Sequence, residues 1–78
     1  MYTIYTQNRC VFCTMAKKLL DDNDIEFVEI NIHYDDTARI LLKEQGFKTV
    51  PQIYDDDNNH IGGYTDLAEI YNKNDRTD

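Results

Sequence analysis

Strand-like and helix-like runs alternate along this 78-residue sequence in the order β-α-β-α-β-β-α, which predicts an α/β domain: a small four-stranded mixed sheet flanked by three helices. Three observations carry that reading. Short runs rich in β-branched and aromatic residues open the chain and recur further along. Two stretches between them repeat apolar residues at helical spacing. The last two strand-like runs are separated only by an acidic turn. Strands joined through a helix run parallel with a right-handed crossover, whereas strands joined by a tight turn run antiparallel, so the sheet has to be mixed.

Each element has a local cause. Tyr2–Thr6 is β-branched and aromatic and reads as the first strand; Gln7, Asn8 and Arg9 form a polar connector. Phe12, Met15, Ala16, Leu19 and Leu20 fall at i, i+3, i+4, i+7 and i+8, one apolar stripe of a helix. Asp21, Asp22, Asn23 and Asp24 end that helix because their short polar side chains compete for backbone hydrogen bonds. Residues 25–32 alternate through Phe27, Glu29 and Ile30 as a second strand. Asp35, Asp36 and Thr37 offer N-caps and negative charge to a second helix. Ala38, Leu41 and Leu42 form its inner face, and Gly46 suits the left-handed position just past its end. Gln52, Ile53 and Tyr54, a turn over residues 55–59, and His60, Ile61 and Gly62 predict a hairpin. Thr65 is the expected cap of a last helix carrying Leu67, Ile70 and Tyr71. Residues 72–78 are polar and are expected to fray. The whole, residues 1–78, is one domain of modest expected stability.

Composition excludes several functions. Eight basic residues against fifteen acidic ones give a net charge of −7, and the cations are scattered, which argues against a nucleic-acid partner. An acidic surface serves solubility, or steers encounter with a basic patch on a partner protein. No segment approaches the roughly 20 apolar residues of a membrane helix, and the first residues lack a signal-peptide pattern, so a reducing cytoplasm is the expected compartment. Two cysteines three positions apart do not make the framework of a small secreted domain.

Cys10 and Cys13 sit where the first strand passes into the first helix. The unpaired N–H groups and the dipole of a helix start favour a thiolate at Cys10, with Arg9 an added cation beside it. Cys13 lies one turn along, within reach of a sulfur bound to Cys10. Zinc ligation is a competing reading, but four-ligand sites need a second pair, and only His33 and His60 remain, at no ligand-like spacing. Accident is another. Pro51 is the sole proline and precedes a strand, where a trans bond is the usual form. Gly62 and Gly63 lead into the last helix, either as a plain turn or so that backbone can approach a ligand. His33 and His60 read as surface or strand histidines, the six tyrosines as packing and rim residues, and Asp55, Asp56 and Asp57 as a solvated turn; no metal site is expected.

Together the Cys10-Val11-Phe12-Cys13 motif, the stretch Thr49-Val50-Pro51-Gln52-Ile53-Tyr54 and the stretch His60-Ile61-Gly62-Gly63-Tyr64-Thr65-Asp66-Leu67 resemble the glutaredoxins, from residue 1 to about residue 71. Short dithiol forms, including virus-encoded ones with Val after the first cysteine, are the most similar. The resemblance implies a thioredoxin-like fold and a glutathione-dependent disulfide reductase with Cys10 as nucleophile and Cys13 as resolving thiol. It implies a cis Pro51 packed near the cysteines and a Val50 backbone offered to glutathione. Thr65 and Asp66 would hold the γ-glutamyl end and Lys48 would meet the glycine carboxylate, with Gln7, Thr49 and Gly63 the further implied glutathione contacts. Val11 and Phe12 stand where the family usually has Pro-Tyr, and Gln7 where it commonly has Lys; Arg9 is the nearest compensating cation. Glutathione is the implied co-substrate, with no permanent cofactor. Disulfide-containing proteins, ribonucleotide reductase among them, are the implied partners of a monomer. The alternatives are a redoxin fed by thioredoxin reductase and serving ribonucleotide reductase, and a glutathione-assisted iron–sulfur carrier.

Overall fold

The computed structural model of the protein describes residues 1–71. Its elements are β1 (Tyr2–Thr6), α1 (Val11–Asp22), β2 (Phe27–Asn31), α2 (Asp36–Glu44), β3 (Gln52–Tyr54), β4 (His60–Gly62) and α3 (Tyr64–Tyr71), in the predicted order. The expected tail, residues 72–78, lies outside the described residues. The sheet runs β2-β1-β3-β4, with β1 and β2 parallel and the other two pairs antiparallel. This is the thioredoxin-like fold. β2 is shorter than residues 25–32: Ile25 instead donates its N–H to the Leu20 carbonyl at 2.9 Å, closing the end of α1 rather than joining the sheet.

Pleating sorts the strands between two layers. Ile4 pairs directly with Ile53, both with no exposed surface, and with Ala16, Leu19, Leu20 and Leu67 they form the core beneath α1 and α3. The opposite face carries Tyr5 and Tyr54, whose rings meet edge-on at 5.8 Å. There the Tyr54 hydroxyl donates to the Gln45 side chain at 3.0 Å, which ties that face to the end of α2. The apolar stripes are narrower than expected. Cys13 and Ala16 face inward while their larger neighbours Phe12 and Met15 are exposed, and Leu41 and Ile70 also point outward. Small residues on the inner line let α1 lie close to the sheet, so size is the wrong guide to its buried face.

α2 has well-formed ends. The Asp35 side chain accepts from the Ala38 N–H at 3.0 Å, the expected N-cap. At the other end Gly46 has φ 87°; its N–H bonds the Lys43 carbonyl, and the Phe47 N–H bonds the Leu42 carbonyl. Those two bonds are the pair of a Schellman turn, and they direct the chain into residues 47–51.

Candidate active site

Three segments meet around the start of α1. The first is the β1–α1 turn. Arg9 is left-handed at φ 58° and Cys10 is extended at φ −114° and ψ 103°, which makes Cys10 the N-cap of α1. An N-cap normally supplies an oxygen to the orphan N–H groups of the first turn; here the acceptor is sulfur, with the Cys13 N–H 3.1 Å from Cys10 Sγ. No acidic residue lies in that turn, so the helix dipole acts on the sulfur unopposed by one. Cys10 and Cys13 are joined as a disulfide with their Cα atoms 5.2 Å apart. Cys10 is half-buried and Cys13 is 2% exposed, so only Cys10 is open to attack on or by another molecule.

The second segment is residues 47–51. The Val50–Pro51 bond is cis, and the Val50 carbonyl oxygen lies 3.7 Å from Cys10 Sγ. Gln52, buried behind the loop, donates its amide to the Thr49 carbonyl at 2.9 Å and meets His60 Nε2 through Oε1 at 2.7 Å. The His60 ring packs against Phe47 at 4.6 Å. Polar bonds on one side and an aromatic contact on the other thus fix the height of the Thr49-Val50 ridge.

The third segment is the start of α3. Gly63 occupies the N-cap position: its carbonyl accepts the Leu67 N–H at 3.1 Å, and its N–H donates to Asp66 Oδ2 at 2.9 Å. Thr65, the expected cap, is already inside the helix, and Asp66 reaches back in its place. Gly62 is the glycine this turn requires. Its φ is 124°, and a Cβ there would run into the Asp66 carboxylate, whereas a Cβ on Gly63 would only touch the Pro51 carbonyl at 3.5 Å.

These walls enclose a groove of about 500 Å³ that brings together Phe12, Thr49, Val50, Pro51, Gly63, Thr65 and Asp66, all expected at the site. Phe47, Gln52, His60, Gly62 and Tyr64 line it too. Phe12 and Tyr64 face each other across its mouth with ring centres 5.9 Å apart. Gln7 and Lys48 do not line it. They stand in a second groove of about 300 Å³, on the other side of the Thr49-Val50 ridge, because the turn after Gly46 sends Lys48 toward α2. Arg9 and Val11 line a third depression of about 480 Å³ with both cysteines, Lys17 and Glu29. In its wall, the buried Thr6 hydroxyl donates to Glu29 at 2.7 Å and Lys17 Nζ lies 3.0 Å away. The Thr6 bond foremost, aided by Lys17 and opposed by burial, holds the Glu29 carboxyl below its ordinary range. A larger depression, about 600 Å³, lies among Met1, Asp21, Asp24 and Glu26, remote from the sulfurs.

Of the residues that sequence reasoning passed over, Gln52 carries a readable signal: it is a lone polar residue between Pro51 and an apolar pair, at the start of a strand. His60 is an exposed strand histidine as expected, but its ring also walls the groove.

The chain is similar to known proteins. The glutaredoxin family model matches residues 2–61. Glutaredoxin 3 of Escherichia coli is 42% identical over 68 residues, spanning 86% of this chain and 81% of that protein. The glutaredoxin-like protein NrdH of Lactococcus lactis is 42% identical over 59 residues, spanning 73% and 79%. Among solved structures, a buckwheat glutaredoxin–glutathione complex superposes with a TM-score of 0.79 at 26% identity, over 94% of this chain and 69% of that one. Among the described residues, no helix is long and apolar enough to cross a membrane.

Proposed function

The chain belongs to the glutaredoxin family of thiol–disulfide oxidoreductases, and from that premise we propose that it reduces protein disulfides and glutathione mixed disulfides with glutathione as electron donor. The observation that carries the proposal is the unequal pair of sulfurs. Cys10 caps a helix and is half-buried, lining the depression it shares with Arg9 and Val11 and lying 3.7 Å from the Val50 carbonyl on the groove wall, while Cys13 is buried one turn behind it.

In the dithiol form the Cys10 thiolate attacks one sulfur of a substrate disulfide. The substrate S–S bond breaks, a mixed disulfide forms on Cys10, and the departing sulfur leaves with the electron pair and takes up a proton. Cys13 then gives up its proton and attacks Cys10 Sγ. The second substrate thiolate leaves, and the internal Cys10–Cys13 disulfide remains, having passed two electrons to the substrate. Two glutathione molecules return those electrons and depart as glutathione disulfide. A glutathionylated substrate needs only Cys10, with a second glutathione clearing the mixed disulfide.

The roles of the groove follow from its chemistry. The cysteinyl backbone of glutathione pairs with Val50, which lies just beyond the β1–β3 ladder. The α3 N-terminus with Gly63, Thr65 and Asp66 takes the γ-glutamyl ammonium and carboxylate, and Lys48 and Gln7, reached over the ridge, take the glycine carboxylate. Glutathione is consumed as co-substrate, and the reducing pool it requires places the protein in the cytoplasm.

Turnover of a small mixed disulfide coupled to NADPH, glutathione reductase and glutathione tests the proposal; absence of NADPH consumption would refute it. The NrdH relative favours a second reading, a redoxin reduced by thioredoxin reductase. Turnover with thioredoxin reductase in place of glutathione would establish that reading instead.

A further inference from the structure

The groove on the α2 side of the Thr49-Val50 ridge has a floor of Ile32, Leu42 and Phe47 and a rim of Arg39, Lys43 and Lys48. Three of the eight basic residues in a sequence of net charge −7 therefore converge on one hollow of about 300 Å³. Arg39 shares its charge with Asp36 at 2.7 Å, whereas Lys43 and Lys48 enter no ion pair among the described residues. Field lines concentrate in a low-dielectric hollow rimmed by one sign of charge, and the acidic surface elsewhere repels the same ligand.

We propose that this groove docks an acidic polypeptide segment flanking the disulfide-forming cysteine of a protein substrate. The inference rests on the reading of Cys10 as nucleophile. The groove shares Thr49 and Val50 with the glutathione groove, and the Val50 carbonyl is 3.7 Å from Cys10 Sγ, so a chain whose cysteine reaches Cys10 can cross the ridge directly into it. Lys48 lies nearest the ridge in sequence. Arg39 and Lys43 are one turn apart along α2, roughly 6 Å of helix rise. An extended segment advances about 3.3 Å per residue, so two or three residues past the cysteine bring carboxylates alongside them. Glutathione ends one residue past its cysteine and stops at Lys48. Arg39 and Lys43 therefore have no partner in the tripeptide and are left to discriminate among polypeptides.

Two disulfide-linked homodimeric peptides, in which the peptide cysteine itself is attacked by Cys10, test this; they are alike except that the three residues after cysteine are Asp-Glu-Asp in one and Lys-Lys-Lys in the other. The wild type should prefer the acidic peptide by about fivefold in kcat/KM at low salt, the scale of a few exposed ion pairs. The preference should fade at high salt as the Debye length shrinks. Lys43→Glu should remove or reverse it, and Arg39→Gln should weaken it, while Arg39→Gln turns over the glutathione mixed disulfide of mercaptoethanol at the wild-type rate. Equal preference in wild type and Lys43→Glu would overturn the proposal, as would a wild type indifferent to peptide charge. A wild type inactive on the small disulfide would instead strike at the glutathione reading itself.

Discussion

Replacing Gly62 by alanine should damage this protein far more than replacing Gly63, although the two are adjacent and lie on the same wall. At Gly62 the backbone has φ 124°, and an added Cβ collides with the Asp66 carboxylate. Holding a non-glycine residue in such a conformation costs about 1–3 kcal/mol. Relieving the collision swings Asp66 away from the Gly63 N–H, and losing that bond costs a further ~0.5–1.5 kcal/mol. The sum, about 2–4 kcal/mol, is a large share of the roughly 4–12 kcal/mol expected for a domain of this length. It corresponds to a drop in Tm on the order of 10–25 °C. Gly63→Ala adds only a 3.5 Å contact to the Pro51 carbonyl and should shift Tm by a few degrees at most. The assay is urea and thermal denaturation of both variants, with the KM for glutathione measured below the transition. Gly62→Ala should also raise that KM several-fold, because Asp66 is displaced from the groove. Equal stability of the two variants, or a worse outcome for Gly63→Ala, would refute the reasoning.

Four other outcomes follow from the site. In the reduced protein Cys10 should alkylate first, with a midpoint in the ~3.5–7.5 range of activated cysteines, and mass-spectrometric labelling with iodoacetamide against pH reads it; equal labelling of both thiols contradicts the N-cap argument. Cys13→Ser should keep most activity on a glutathionylated peptide and lose reduction of a protein disulfide, whereas Cys10→Ser should lose both, since a bulky mixed disulfide is best cleared by an intramolecular thiol. Lys48→Glu should raise the KM for glutathione without moving the Cys10 labelling midpoint; an unchanged KM would remove Lys48 from the site. Because the Glu29 carboxyl titrates lower when folded, its contribution is present above the unfolded value near 4.5 and is lost as pH falls through the folded one. Glu29→Gln should therefore flatten the acid limb of stability against pH below 4.5, which denaturation from pH 2 to 6 would reveal.

Much of the architecture is legible in the sequence because local chemistry and tertiary packing agree there. Tyr2–Thr6 is a strand by composition, Asp35 caps by its side chain, and Gly46 turns because it lacks one. The inner face of α1 is less legible because apolar residues come in adjacent pairs, 12 with 13, 15 with 16 and 19 with 20. Either line of the helix then satisfies the period, and only closeness to the sheet selects Cys13 and Ala16 over Phe12 and Met15. The start of α3 misleads for a related reason. Thr65 is a good cap by residue type, but Gly63 and Asp66 divide the task between backbone and carboxylate. In the site, the sequence motifs name the residues on the walls. They do not show that the Thr49-Val50 ridge puts Lys48 and Gln7 in a separate groove. That separation depends on the path from α2 to β3, a three-dimensional property. Gln52 and His60 brace the ridge from strand positions where one polar residue in a short run reads as noise.

The sheet order has a consequence for how the protein comes off the ribosome. β1 is synthesised first yet lies in the interior of the sheet, between β2 and β3. Its Ile4 is closed over by Ile53 and Leu67, and the Tyr2 hydroxyl meets that of Tyr71 at the far end of the described chain. A nascent chain that stops before α3 has one open wall on its core and no second half-core to fall back on. Stable structure must therefore wait until nearly all of the domain has emerged, and closure is then a single late event dominated by contacts remote in sequence. Until that moment the two thiols have no buried and exposed member, and a half-made chain cannot carry out the exchange that the finished one performs.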